Sequence, residues 1–310
     1  MRPRLNLEYL KTFITVVRCG GICKAATQMH LTQPAVTTRI RNLEESLSTT
    51  LFDRVNAGLT LTKRGEMMLN YANQFTHLIE LVERDIIDPK GLKGYMRLGV
   101  SETIAQSWLP EFIRQFKQEY PCFEVQIDVD RSNSLREKLL GREIDLAFLL
   151  GPISECSIDN LELSPFNLAW YTSINNDSQK VDLLTRPITT YSKGTRPYRE
   201  LKSLLDEKVG SDAQIYPSSS LSACFKLLEN DLCIAPLPKI VADEYVRKGT
   251  IRTFDPGWVP NSLSFTASYL GDSKSYLVEK SADLALQVSI EHNAEYTSSL
   301  KPQFELLKTV

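Results

Sequence analysis

The stretch Leu31-Thr32-Gln33-Pro34-Ala35-Val36-Thr37-Thr38-Arg39-Ile40-Arg41-Asn42-Leu43-Glu44-Glu45-Ser46-Leu47 decides how the head of this chain folds. Thr32 offers an N-cap oxygen, and Pro34 falls in the first helical turn, where its missing N–H would have had no helical partner. Val36, Ile40, Leu43 and Leu47 lie on one stripe of a 3.6-residue period, so the segment predicts a helix to about residue 46 with one buried face. The opposite face carries Pro34, Thr37, Thr38 and Arg41, flanked by Gln33, Ala35 and Arg39. Short hydroxyl and amide groups at a helix N-terminus, with cations farther along, suit the reading of base edges and phosphates. A solvated helix face looks the same in isolation, so the neighbouring sequence has to decide.

Upstream, Leu7, Leu10, Phe13, Ile14 and Val17 predict an amphipathic helix over residues 6–18 that Cys19-Gly20-Gly21 ends. Ile22 to His30 reads as a short second helix, with Ala25-Ala26 small enough for another helix to approach closely. Joined to the quoted helix by the Leu31-Thr32 turn, it makes a helix-turn-helix. Downstream, Thr50–Arg54 and Leu59–Thr62 flank the turn residues Val55-Asn56-Ala57-Gly58 and predict a two-stranded wing, with Arg54 and Lys63 placed for phosphates. A long helix follows from Thr62. In it Met68, Ala72, Phe75, Ile79, Val82 and Ile86 alternate four and three residues apart, the pattern of a dimeric coiled-coil seam or of a face buried within one domain. Pro89 and Gly91 close that helix.

Charge follows the same division. Residues 1–64 hold ten Lys/Arg against four acids, which leaves 26 against 34 for the rest, so a basic head is joined to an acidic body. A basic head suits a polyanion such as double-stranded DNA. At 310 residues the chain exceeds a single core, and 42% hydrophobic with 24% charged residues excludes a disordered protein. The longest apolar run, Leu146–Ile153, is broken by Gly151-Pro152 and is far short of a membrane span. No apolar leader follows Met1, so a cytoplasmic protein without membrane contact is expected. The six cysteines lack CxxC pairs and share no metal-ligand spacing with the three histidines, so no metal or cofactor is expected. Reduced, core-filling thiols are the simple reading. A redox role for Cys19 and Cys23, four residues apart, needs both on one helix.

From Tyr95 onward strands and helices alternate, which predicts βαβ units and a mainly parallel sheet. Strands are expected at 95–100, 123–129 and 145–150, then at 168–172, 188–191, 214–216, 233–237 and 263–270. Helices are expected at 103–120, 134–140, 197–206, 220–228 and 274–292, with a polar tail after them. Ligands in such folds sit beyond the carboxyl ends of strands, near helix N-termini. Ser101, Glu102 and Thr103, Asn133 and Ser134, Ser192, Gly194 and Thr195, and Ser218, Ser219 and Ser220 occupy those places, and each group could equally cap a helix. No GxSxG, GxxxxGK[ST] or GxGxxG motif supports an enzyme. A solute-binding module would need a signal peptide in place of residues 1–88.

Ala25-Ala26, Leu31 to Thr37, Ile40, Leu43-Glu44, Leu47, Leu51-Phe52-Asp53-Arg54 and Leu61-Thr62-Lys63-Arg64-Gly65 together resemble the N-terminal signature of LysR-type transcriptional regulators. The resemblance departs at Gly20-Gly21-Ile22-Cys23-Lys24, where the family commonly places a phosphate-binding serine; Lys24 could take over that contact. It implies a winged helix-turn-helix over residues 1–65, a dimerising linker helix over 66–90 and an α/β effector domain over 91–310. That domain would be similar to a periplasmic binding protein, with one lobe at about 91–163 and 268–310 and the other at about 164–267, joined by crossovers near Leu163–Phe166 and Leu263–Ala267. It further implies a small organic effector between the lobes, contacted by the four groups above, self-association as a dimer or tetramer, and RNA polymerase as a partner. Arg196 or Arg199 would have to balance Glu102 if the effector is anionic. A redox- or ligand-independent DNA-binding repressor that uses its C-terminal domain only to oligomerise is the alternative.

Overall fold

The computed structural model describes residues 5–55, 58–82, 95–176, 186–271 and 275–306. These form two compact units, the second starting at Tyr95. In the first, α1 (Leu7–Cys19) is capped by Asn6, whose side chain accepts from Glu8 N at 2.8 Å, and ends at Gly20 with φ +68°, a left-handed turn that costs glycine little. Next come α2 (Ile22–Gln28) and α3 (Gln33–Leu47), the latter capped by Thr32 Oγ1 accepting from Ala35 N at 3.4 Å. The wing is the antiparallel pair β1 (Phe52–Val55) and β2 (Gly58–Leu61), followed by α4 (Lys63–Val82). Val36, Ile40 and Leu43 meet Leu10, Phe13, Val16 and the Ala25-Ala26 pair in one core. Glu44 ties α3 to the wing by accepting from Leu51 N at 2.7 Å and Phe52 N at 3.3 Å.

Met68 and Ala72 correct the expected seam, because both are buried in this core and unavailable to a partner. The exposed stripe of α4 is Met67, Tyr71, Phe75, Leu78 and Val82, with Ile79 half-buried. Ile86 and the linker beyond Val82 lie outside the described residues.

The second unit has two lobes. Its first lobe carries β3 (Tyr95–Val100), α5 (Glu102–Ala105), α6 (Leu109–Glu119), β4 (Glu124–Val129), α7 (Ser132–Leu140), β5 (Leu146–Leu150) and β6 (Ile158–Glu162). The second lobe follows with β7 (Leu168–Ser173), β8 (Ile188–Tyr191), α8 (Arg196–Lys208), β9 (Ile215–Ser218), α9 (Leu221–Glu229), β10 (Ala235–Pro238), α10 (Lys239–Arg247) and β11 (Ile251–Phe254). The chain then returns to the first lobe as β12 (Phe265–Leu270) and α11 (Tyr276–Leu306). Where it leaves and returns, Phe166 and Leu263 form an antiparallel bridge with N–H···O distances of 3.0 and 2.9 Å.

The first lobe's sheet has the order β4-β3-β5-β12-β6. β3 runs parallel to β4 and β5, whereas β12 is antiparallel to both of its neighbours, so the sheet is mixed rather than mainly parallel. The outgoing and returning segments lie side by side, which sets the direction of β12. The second lobe joins β10-β7-β11, all antiparallel, to the parallel pair β8-β9 through the bridge Ile188↔Ile234. The helix expected over 103–120 is two helices, because Pro110 restarts the chain after a turn at Gln106–Trp108. Trp108 is buried there, with Phe148 at 5.3 Å. The expected polar tail is the continuation of α11.

Candidate nucleic-acid interface and ligand cleft

On α3, Thr32, Gln33, Pro34, Thr38 and Arg41 are exposed, and Ala35 and Thr37 half-buried. Thr37 spends its hydroxyl on Gln33 O at 2.9 Å. The N-terminal end of α3 is therefore a polar, nearly uncharged surface with Gln33 at its tip, and Arg41, 3.4 Å from Glu45, stands farther along. Lys24 on α2 and Lys63 at the start of α4 are exposed cations on the same unit, while the Arg54 side chain lies outside the described ones. Arg39 is half-buried and tied to α1: its guanidinium donates to Glu8 at 3.3 Å and Thr12 Oγ1 at 3.2 Å. Cys19 and Cys23 sit on different helices, and Cys19 Sγ donates to Gln28 Oε1 at 2.7 Å.

Between the lobes of the second unit lies a cavity of about 240 Å³. Ser101, Glu102, Thr103, Ser192, Thr195, Ser218 and Ser219 line it as expected from the sequence. Asn133, Ser134, Gly194, Arg196 and Ser220 do not. Ser134 donates to Asp130 at 2.6 Å, and Gly194 O accepts from Arg199 at 2.8 Å. Arg196 is 3.2 Å from Glu200, so neither arginine balances Glu102. Thr195 and Ser220 are N-caps, accepting from Tyr198 N at 3.4 Å and Ala223 N at 3.2 Å.

Sequence reasoning missed the apolar wall, Val129, Leu150, Leu221, Leu237 and Phe265, and also Asp130, Arg131, Ser132 and Tyr191. Val129 and Leu150 end β4 and β5, so the rule that placed the serines could have found them. Arg131 was hidden because α7 begins at Ser132, two residues before the expected start.

Glu102 receives five donors. From across the cleft, Leu221 N at 2.5 Å, Ser222 N at 3.0 Å, Ser222 Oγ at 2.7 Å and Ser220 Oγ at 3.3 Å donate to its carboxylate, and Gln106 Nε2 adds a bond at 3.0 Å. This is a helix cap supplied by the opposite lobe, with a negative charge at the positive end of α9. Asp130 is held at 2.8 Å from Lys138, whose ammonium, with Ser134, brings the carboxyl down to about 2. Ser101 occupies the N-cap position of α5 without a capping bond, and its buried Oγ, like the buried Tyr191 hydroxyl, has no hydrogen-bond partner. Burial pushes the Tyr191 phenol above its usual range, so it stays protonated. Beneath the cavity, burial likewise raises the Cys224 thiol, and Cys233 is pushed up to about 12.

Residues 7–66 match the family described as "Bacterial regulatory helix-turn-helix protein, lysR family", and residues 89–288 match "LysR substrate binding domain". The HTH-type transcriptional regulator YofA of Bacillus subtilis is 32% identical over 234 residues, covering 76% of this chain and 81% of that protein. Full-length CbnR complexed with its target DNA has a similar fold, with a TM-score of 0.66 at 20% identity over 92% of this chain and 100% of that one. Full-length LysG from Corynebacterium glutamicum, solved with its effector Arg bound, gives 0.63 at 14% identity, covering 93% and 99%. No helix among the described residues is long and apolar enough to cross a membrane. A winged helix-turn-helix followed by a two-lobed domain, matched along most of the chain, places this protein in the LysR family of DNA-binding transcriptional regulators.

Proposed function

We propose that operator binding, or bending of the bound DNA, by this regulator responds to a small organic molecule held between the two lobes. The observation that carries the proposal is the 240 Å³ cavity whose lining includes a buried Ser101 hydroxyl with no partner. One water needs roughly 10–15 Å³, so there is room for an organic ligand, and a buried unsatisfied hydroxyl gains most from a ligand that bonds it. Ligand binding favours the lobe closure to which it binds more tightly, and that difference is the coupling free energy to DNA. The apolar stripe Met67, Tyr71, Phe75, Leu78 and Val82 supports self-association through α4, which in turn supports reading of paired half-sites.

The test is footprinting of the DNA upstream of the protein's own gene at fixed salt, repeated with extracts of small metabolites. A protected, partly palindromic region whose pattern or affinity changes with one fraction is the expected result. Protection that no fraction alters would overturn effector control while leaving DNA binding in place.

A further inference from the structure

The N-terminus of α9 is an anion site, with N–H groups at Leu221 and Ser222 that have no partner within the helix and hydroxyls at Ser220 and Ser222 around it. It is already filled. Glu102 Oε1 meets four donors and Oε2 one, so both N–H groups and both hydroxyls of this terminus are already engaged by a carboxylate. Asp130 is likewise spent on Lys138 and Ser134. Glu102 is held by neutral donors and Asp130 shares Lys138 with Asp128, so the cation on the cavity wall open to a ligand is Arg131, an exposed residue directly before α7 with no ion pair among the described residues. The same cavity is lined by Ser101, a residue only 8% exposed, and Tyr191, whose hydroxyls are both buried and unpartnered. The remaining wall, Val129, Leu150, Leu237 and Phe265, is apolar.

Resting on the effector reading above, we propose that Glu102 is a built-in carboxylate occupying the α9 anion position, and that the cavity therefore selects a small organic mono-anion and discriminates against a di-anion. The ligand's charge faces Arg131 and its hydroxyl or carbonyl oxygen faces Ser101 and Tyr191. A second carboxylate would have to evict Glu102, leaving that charge unpaired beside it. Glu102 also ties the two lobes together, through Ser220, Leu221 and Ser222.

The test uses the full chain and acetate as a probe of each anion position, read as the shift in melting temperature. Arg131→Ala removes the ligand-facing cation, so acetate is expected to leave this variant unchanged. Adding Glu102→Ala vacates the α9 terminus, and acetate is then expected to raise the melting temperature in proportion to its concentration. Equal responses in the two variants overturn the assignment. Calorimetric titration of the unmodified protein with matched pairs, butyrate against succinate and 2-hydroxybutyrate against malate, gives a reading that no folding defect can obscure. The mono-anions are expected to bind at least tenfold more tightly; a preference for the di-anions, or no binding by any of the four up to 10 mM, overturns the proposal. Glu102→Gln, which keeps one capping oxygen and loses the charge, is expected to narrow that ratio. Operator binding is measured on the same preparations, so a protein that binds DNA but fails these tests loses only the Glu102 assignment, whereas loss of DNA binding by the unmodified chain counts against the regulator reading itself.

Discussion

Gly65 stands where no side chain fits, since a Cβ there would lie 2.1 Å from the backbone oxygen of Leu51. That oxygen belongs to the junction of α3 and the wing, held by Thr62 Oγ1, which donates to Thr50 O at 2.9 Å and accepts from Gly65 N at 2.9 Å. Gly65→Ala is expected to destabilise the N-terminal unit by about 1–3 kcal/mol in denaturant unfolding, because backbone and not a flexible side chain must move. A second expectation separates reader from anchor. Gln33→Ala should reduce the preference for the specific site over random DNA by about 1–3 kcal/mol, whereas Lys63→Ala should weaken both alike and lower the salt slope by about one. Titrations at several salt concentrations distinguish the two. Arg39 illustrates what the sequence leaves out: its spacing put it beside the reading face, but Glu8 and Thr12, 31 and 27 residues away, claim it.

Among elements, those with a strong period were legible and those defined by distant partners were not. α1, α3, β3 and β8 came within a residue or two of their expected bounds, because an amphipathic stripe and a cap are local signals. β6, α10 and β11 were missed. Among the described residues β6 pairs with β12 alone, about a hundred residues later, and its Ile158-Asp159-Asn160-Leu161-Glu162 has no alternation of its own. In the cleft, serines at helix starts could be read, but the partner of Glu102 could not, since Ser220 to Ser222 lie over a hundred positions away. α4 shows the same limit, for the four-three spacing of Met68 and Ala72 fits a seam and a core equally well. Leu78→Asp is therefore expected to weaken self-association by about 1.5–3 kcal/mol per protomer with the fold retained, and Ala72→Asp to unfold the N-terminal unit instead. Sedimentation equilibrium beside circular dichroism checks both.

For the whole molecule, acid stability follows from the carboxylates that are held low. Asp130, brought down to about 2 by Lys138, has a folded value below its ordinary 3.8, so its contribution is present at neutral pH and fades as pH falls from about 4 to 2. The gap in unfolding midpoint between the unmodified chain and Lys138→Met is expected to be constant above pH 5 and to close toward pH 2. The sheet order carries one more consequence, for synthesis on the ribosome. β12 is the strand that joins β5 to β6, yet it is made only after the whole second lobe. While the chain emerges, the lobe begun first stays an open-edged half sheet, and the lobe inserted into it is the first able to finish. Birth order and completion order are thus reversed, and the nascent chain exposes the free edges of β5 and β6, both open to pairing with other chains, until residue 270 has left the exit tunnel.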